Sequence, residues 1–96
     1  MSIRVALSAK REQVLAVAAK HGARDVRVFG SVARGEESPE SDVDLLVRFD
    51  PGVTLLGHSR LVRELEEVLG TRVDVVSARA LRDRYRQRVL EEAEAL

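Results

Sequence analysis

The apolar residues of this chain recur at two spacings, and each spacing predicts a different kind of element. A repeat of three or four residues predicts helices over Ser8 to His21, from Thr54 or Ser59 to Leu69, and from Ser77 toward the C-terminal end. The expected N-caps are Ser8, Thr54 or Ser59, and Ser77, and the expected stops are Gly22 and Gly70. The apolar stripe of the last helix contains Leu81, Tyr85, Val89 and Ala93, so core packing is expected for Tyr85.

Shorter apolar runs predict three strands, which are Asp25 to Phe29, Asp42 to Phe49 and Arg72 to Val76. The run from Val43 to Val47 is almost continuous, which is typical of a strand buried on both faces at the centre of a sheet. A short helical turn is predicted at Ser31 to Arg34, closed by Gly35, and a polar loop containing Pro39 is predicted from Glu36 to Ser41. These elements predict an α/β fold in which helices cover a small β-sheet.

The size and composition of the chain restrict its class. Its 96 residues predict a single domain over residues 1–96, and its 45% hydrophobic but 3% aromatic content predicts a core of Val, Leu and Ala. A core of this size is marginal, so a homo-oligomer would help to bury surface. Sixteen basic and sixteen acidic residues cancel, which argues against nucleic acid as the main partner.

Cysteine content and the N-terminal segment narrow the expected location. The chain has no cysteine, which excludes disulfides and thiolate metal sites. The apolar run at the N-terminus is too short for a signal peptide or a membrane span. We therefore expect a cytoplasmic protein with no membrane partner.

Polar residues that can carry chemistry lie between the first two predicted strands and in the third. Asp42 and Asp44 are two residues apart on a strand, so their carboxylates project from the same face, roughly 6–7 Å apart. This spacing suits Mg²⁺, which prefers carboxylate oxygens and keeps substrate phosphates among its ligands, and two such ions can clamp a phosphoryl displacement. Gly30 and Ser31 lie where a strand becomes a short helix, so exposed N–H groups there can meet an anion. Asp74 would join the pair if the second and third strands are neighbours.

Each of these features also has an ordinary explanation. A single Asp-x-Asp is common on protein surfaces, and a Gly-Ser pair alone is an ordinary turn. Asp74 is harder to dismiss, because it stands among valines, and a buried carboxylate is costly unless it is paired or holds a metal. The combination therefore carries more weight than any one of its members.

The segment from Gly30 to Val47, GSVARGEESPESDVDLLV, resembles the signature of the minimal nucleotidyltransferases, within the DNA polymerase β-like nucleotidyltransferase superfamily. The shared features are Gly-Ser, a spacer of about ten residues and Asp-x-Asp, and the similarity extends to GTRVDVVS around Asp74. The resemblance implies a nucleotidyltransferase fold with a small mixed sheet. The family frequently has an arginine where this chain has Val32, so a role of that side chain is absent here.

The resemblance also implies roles for individual residues. Gly30 and Ser31 would bind ATP, the nucleotide donor. Asp42, Asp44 and Asp74 would form the catalytic set and hold Mg²⁺, with two ions expected. Arg34 would contact phosphate or stabilise the turn.

A reaction and a partner follow from the same resemblance. AMP would move from ATP to a hydroxyl acceptor, expected to be a tyrosine of a HEPN-type toxin, and this chain would be the antitoxin of the pair. A domain this small has little surface from which to build a pocket for a complex small molecule, which favours a protein acceptor. The alternative is an antitoxin that neutralises its partner by binding, with weak or no nucleotide transfer.

Other polar residues have structural explanations. His21 follows Lys20 and is expected to interact with a helix dipole, His58 is expected to be solvated, and zinc is not supported. The acids Glu36, Glu37 and Glu40 are expected to be unpaired and exposed. The arginines of the last helix form either a solvated face paired to nearby acids or a docking surface for an acidic protein or RNA; they are Arg79, Arg82, Arg84, Arg86 and Arg88.

Overall fold

A computed structural model of the protein describes residues 3–36 and 42–96. Its helices are α1 (Ile3–Ala9), α2 (Arg11–Lys20), α3 (Gly30–Ala33), α4 (Leu55–Leu69) and α5 (Asp83–Glu92), with a 3-10 turn at Ala78–Ala80. Its strands are β1 (Ala23–Phe29), β2 (Val43–Phe49), β3 (Val73–Ser77) and β4 (Glu94–Ala95). The predicted loop acids Glu37 and Glu40, together with Pro39 and Ser41, lie outside the described residues.

The sheet has the order β3-β2-β1-β4 and is mixed. Strand β2 runs antiparallel to β1 and parallel to β3, and β4 pairs antiparallel to the other edge of β1. The predicted α/β fold with a small mixed sheet is therefore confirmed. Strand β2 has a neighbour on each side, as its apolar run predicted.

The core forms on one face of the sheet. Along β2 the side chains of Val43, Leu45 and Val47 are buried in one cluster with Leu61 and Leu65 of α4. Side chains alternate along a strand, so Asp44 and Leu46 project from the opposite face. Leu46 is only 2% exposed, so the middle of β2 is buried on both faces, as its apolar run predicted, while Asp44 is partly exposed near the start of the strand.

The predicted first helix is two helices, because α1 ends at Ala9 and α2 begins at Arg11. Ser8 lies inside α1 and does not cap a helix, so that prediction is wrong. Leu7 is only 3% exposed, so tertiary burial holds the turn that precedes Ser8. Gly22, with φ of 76°, follows the end of α2 as predicted.

Both predicted ends of α4 are confirmed. Of the two candidate caps, the structure selects Thr54, whose hydroxyl oxygen accepts a hydrogen bond of 3.1 Å from the Gly57 N–H. Gly70 ends the helix in the left-handed conformation, with φ of 68° and its N–H bonded to the Glu66 carbonyl.

The C-terminal segment differs most from expectation. Ser77 ends β3 and does not cap α5, which begins at Asp83. The helix ends at Glu92, because the chain becomes extended at Ala93 and pairs with β1 as β4. The apolar repeat had predicted a helix over this segment and gave no sign of the strand. Tyr85 is 47% exposed, so the prediction of core packing is wrong.

In the part of the chain that the structure describes, no helix is both long enough and apolar enough to cross a membrane.

Candidate active site

The sheet brings the predicted site residues together at one end of its strands, which is called the site edge of the sheet below. Strand β1 ends where β2 and β3 begin, so Phe29 pairs with Asp44 and Asp44 pairs with Asp74 in register. Gly30 follows Phe29 directly and starts α3. The expectation that neighbouring strands would bring Asp74 beside Asp44 is confirmed, and Gly30 lies at the same edge.

Gly30 and Asp44 are packed so closely that no side chain fits at position 30. A Cβ placed on Gly30 would collide with Oδ2 of Asp44 and would lie 3.1 Å from its Cγ. Gly30 also has a φ of 72°, which a side chain disfavours. The glycine of the motif is therefore required by two independent features, its backbone conformation and the space that the carboxylate occupies.

Helix α3 is short but held from both sides. Val32 is fully buried at 0% exposure, so its side chain anchors α3 in the core and does not face the site. Arg4 donates from Nη1 to the carbonyl oxygens of Val32 at 3.2 Å and Ala33 at 3.3 Å. Its Nη2 lies 2.9 Å from Oε2 of Glu94, which ties α1 and β4 to this turn. Nothing in the sequence pattern signalled this role of Arg4.

Asp44 is the least solvated of the three carboxylates, being intermediate in exposure while Asp42 and Asp74 are exposed. Burial raises the pKa of Asp44, and the negative charges of Asp74 and then Asp42 raise it further, while Arg34 opposes them. The cluster therefore holds negative charge at some energetic cost, and a divalent cation would relieve that cost.

Asp74 is not buried, contrary to the argument from its valine neighbours. Val73 and Val75 point into the core and Asp74 projects from the other face, where it is exposed. Its carboxylate is open to an incoming group, and the desolvation argument for a metal does not apply to it.

Asp42 precedes β2, although the sequence pattern placed it inside the strand. Its Oδ1 lies 3.2 Å from Nε of Arg72, a residue that precedes β3. The backbone of the same arginine accepts a hydrogen bond of 2.9 Å from the Val43 N–H. Arg72 thus holds Asp42 beside the site, a role that no feature of the sequence pattern indicated.

Arg34 bridges two acids. Its Nε lies 2.9 Å from Glu36 and its Nη1 lies 3.1 Å from Glu92, and the hydrogen bond that Arg34 donates to Glu36, together with the charge of Glu92, raises the pKa of Arg34. The expectation that Glu36 is unpaired is wrong, although it is exposed as expected. Arg34 connects the end of α3 to the end of α5.

The three carboxylates suit Mg²⁺ only as part of a larger set of ligands. In residues 3–36 and 42–96, no three histidine, aspartate or glutamate side chains are arranged to hold a metal ion by themselves. Mg²⁺ in nucleotide sites takes one or two carboxylates and completes its shell with water and substrate phosphates. Asp44 with its two acidic neighbours fits that pattern, so the residues suit an ion that arrives with a nucleotide.

Neither histidine belongs to this edge of the sheet. Nε2 of His21 lies 3.3 Å from Oε1 of Glu64, which joins α2 to α4. His58 is half-buried, not solvated as predicted, and its ring lies 5.0 Å from that of Phe49. Its Nε2 is 2.8 Å from the Val75 carbonyl oxygen, which can only accept, so Nε2 carries the hydrogen. Both histidines are structural.

The family model described as a nucleotidyltransferase domain matches residues 10–96 of the chain. A Methanocaldococcus jannaschii protein provisionally named a protein adenylyltransferase is 41% identical over 83 residues, which cover 86% of this chain and 89% of that protein. The protein adenylyltransferase MntA of Thermococcus cleftensis is 42% identical over 73 residues, which cover 76% of this chain and 74% of that protein.

Solved structures give a parallel result. A chain provisionally described as a minimal nucleotidyltransferase superposes with a TM-score of 0.89 at 56% identity, covering 100% of this chain and 97% of its own. A chain of a toxin-antitoxin complex with AMP-PNP superposes with a TM-score of 0.76 at 20% identity, covering 88% of this chain and 69% of its own. A chain of the complex of tri-AMPylated Shewanella oneidensis HEPN toxin with MNT antitoxin superposes with a TM-score of 0.70 at 17% identity, covering 92% of this chain and 69% of its own. The last two similarities establish a shared fold.

Proposed function

This chain belongs to the nucleotidyltransferase domain family, and we propose that it transfers AMP from ATP to a hydroxyl group of a partner protein. The observation that carries the proposal is the register of the sheet, which collects Gly30, Asp44 and Asp74 at one edge. Two similar proteins bear adenylyltransferase names, and one structural neighbour contains the ATP analogue AMP-PNP. We place the reaction in the cytoplasm, where ATP is available.

The triphosphate would bind at Gly30 and Ser31, where the absence of a side chain at position 30 leaves the backbone accessible beside Asp44. Asp42, Asp44 and Asp74 would hold Mg²⁺, which when bound supplies positive charge to the phosphates and to the group that leaves. The like charges around Asp44 support this role, since they favour a bound cation. Arg34 would turn toward phosphate from its present partners Glu36 and Glu92.

The transfer itself is a displacement at phosphorus. The acceptor oxygen attacks the α-phosphorus, the bond to the oxygen that bridges the α- and β-phosphates breaks, and pyrophosphate leaves. The exposed carboxylate of Asp74 would accept the proton of the acceptor hydroxyl, because it is open to solvent at the same edge as Asp44. Asp44 is less suited to this task because it packs against Gly30.

We further propose that the acceptor is a tyrosine of a HEPN-type toxin, for which this chain is the antitoxin. A structural neighbour is an MNT antitoxin in complex with a tri-AMPylated HEPN toxin, which is the basis for this assignment. The small size of the chain supports a protein acceptor, since a protein brings its own structure around the reacting hydroxyl.

The decisive experiment mixes this protein with the protein encoded by the neighbouring gene, ATP and Mg²⁺, and follows that candidate partner by intact mass. We expect a gain of one or more AMP units on a tyrosine, with no gain when EDTA removes the metal. Asp42→Asn and Asp44→Asn should each abolish the gain. Asp50→Asn is the matched control, because Asp50 lies at the other end of β2 and pairs with Arg24. A stable complex without any mass gain would instead support an antitoxin that acts by binding alone.

A further inference from the structure

Helix α5 presents a largely exposed face, whose Tyr85 contacts Arg84 of the same helix: the guanidinium lies 4.9 Å from the ring centroid and donates to the hydroxyl at 2.8 Å. This face, called the Arg82 face below, consists of Arg82, which precedes the helix, and of Tyr85, Arg86, Val89 and Leu90, so that each member lies three or four residues from another. Tyr85 is 47% exposed and Leu90 is 38% exposed. Helix α5 has no buried residue over its ten positions, so it contributes little to the core.

Elsewhere on α5, Arg88 is the arginine that pairs with an acid of the same helix, and Arg84 contacts Tyr85 and no acid among the described residues. Arg88 lies 3.6 Å from Glu92, and Gln87 donates to Glu91 at 3.2 Å. By contrast, the side chains of Arg82 and Arg86 make no ion pair or hydrogen bond with any residue in the ranges 3–36 and 42–96. Two arginines without an ion pair therefore flank exposed apolar groups, with the exposed acid Asp83 beside them in the first turn of the helix.

We propose that the Arg82 face is the docking surface for the protein that accepts AMP, and that it binds an acidic patch with an apolar centre on that protein. The proposal rests on the proposed function and specifies how its partner is held. Tyrosine and arginine are the side chains most enriched where binding energy concentrates in protein interfaces, and this face presents both with two aliphatic residues. The zero net charge of the chain argues against RNA as the occupant, because RNA binding depends on an excess of cations.

The position of α5 connects this face to the transfer site. Glu92, in the last turn of α5, pairs with Arg34, which directly follows α3. Helix α3 starts with Gly30, whose backbone packs on Asp44. A protein bound along α5 is thus held beside the edge of the sheet that carries the carboxylates.

The test uses a double charge reversal, Arg82→Glu with Arg86→Glu, and measures by calorimetry the binding to the protein that wild type modifies with AMP. The matched control is Arg60→Glu with Arg63→Glu on α4, where both arginines are exposed and also lack an ion pair within the described ranges. We expect the α5 variant to bind at least roughly tenfold more weakly and the α4 variant to change less than about twofold. In transfer assays the KM for the partner should rise by a similar factor while kcat and AMP-PNP affinity stay near the original values.

The outcomes separate this inference from the function on which it rests. Wild-type AMP transfer with undiminished binding by the α5 variant overturns the docking surface and leaves the proposed function standing. Absence of both binding and transfer in the wild-type protein overturns the two together. If the α5 variant lost binding to a single-stranded polyuridine probe but still bound the partner protein as wild type does, the Arg82 face would be an RNA surface and the proposal would be overturned.

Discussion

Gly30 is the residue at which the site depends most directly on the absence of a side chain. Replacing it with alanine should force the Asp44 carboxylate out of its place, because the new Cβ would occupy the position of Oδ2. Misplacement of a reacting group by about 1 Å can cost about 100-fold in rate, so we expect at least that loss of AMP transfer from Gly30→Ala. The mass-based transfer assay measures it.

The control for this change is Gly70→Ala. Gly70 has nearly the same φ, 68° against 72°, but a Cβ there would meet nothing within 4 Å. Both variants should lose roughly 1–2 kcal/mol through left-handed strain, which thermal unfolding reports. Gly70→Ala should keep its transfer activity, and a Gly30→Ala protein as active as wild type would refute the contact with Asp44 as a functional requirement.

Asp44 illustrates a conflict between stability and function. Its pKa is raised in the folded protein above the ordinary value of 3.8, so the ionised carboxylate at neutral pH opposes folding. That cost disappears as the pH falls through the raised pKa, where the folded state takes up the proton first. We expect metal-free Asp44→Asn to have a higher Tm than wild type at pH 7, a difference that shrinks toward pH 4, and to lose AMP transfer.

The comparison for Asp44→Asn is Asp42→Asn. Asp42 is exposed and paired with Arg72. Its replacement should therefore lower the free energy of unfolding by only about 0–1 kcal/mol, so Tm should stay unchanged or fall slightly. If both variants gained the same stability, the gain would reflect net charge and not the desolvation of Asp44.

The sequence predicted the parts of the site that depend on local spacing, and it missed those that depend on distant pairs. Asp42 and Asp44 share a strand and Gly30 ends another, so alternation and turn chemistry were sufficient to propose them. Arg4 reaches α3 from 28 residues away, and Arg34 reaches Glu92 from 58 residues away. Exposed ion pairs of this kind leave no periodic signal, because each arginine has many equivalent acids in the sequence.

At the scale of elements, the N-terminus of α4 can be tested by separating its two candidate caps. Thr54→Ala removes the acceptor for the Gly57 N–H and should cost about 1 kcal/mol, or about 4–8 °C in Tm for a domain of this size. Ser59→Ala is the control, because Ser59 lies within the exposed face of the helix, and its change should stay within about 0.5 kcal/mol. Equal losses would show that the Thr54 hydroxyl is not the cap.

Helices were predicted best where apolar side chains at helical spacing are buried in the core. Helix α4 combines buried Leu61 and Leu65 with a cap and a terminal glycine, and both ends were found. Helix α5 buries nothing, so its repeat of apolar residues did not report a core contact. Strand β4 is two residues long and exists through its pairing with β1, which a pattern of neighbouring residues cannot reveal.

Over the whole molecule, the two faces of the sheet divide stability from chemistry. Helix α4 packs on the face that carries Val43, Leu45 and Val47, and a chain of polar contacts joins it to α2. The carboxylates project from the other face, where Asp74 and Asp42 are open to solvent. Substitutions on the polar side can therefore change activity with little loss of fold, and contacts between α2 and α4 can be changed without touching the site.

The contact between α2 and α4 predicts how the stability of the whole protein depends on pH. Oε1 of Glu64 lies 3.0 Å from Nζ of Lys20 and 3.3 Å from Nε2 of His21. The hydrogen bond from Lys20, followed by the contact with His21, lowers the pKa of Glu64 below its ordinary value of 4.5. A depressed acid contributes stability that is fully present above its unfolded pKa and is lost as the pH falls through its folded pKa.

Glu64→Gln should therefore lower Tm at pH 7, and the difference from wild type should close as the pH falls from about 5 to below 4. Added salt should reduce the Tm difference between Glu64→Gln and wild type at pH 7, because the Lys20 side chain is 65% exposed and its charge is screened by salt. Glu67→Gln is the control: Glu67 is exposed on the same helix and has no ion pair among the described residues, so its Tm should follow wild type throughout. A constant Tm difference for Glu64→Gln from pH 7 to pH 3 would mean that the glutamate stabilises the helix pair through packing and not through its charge.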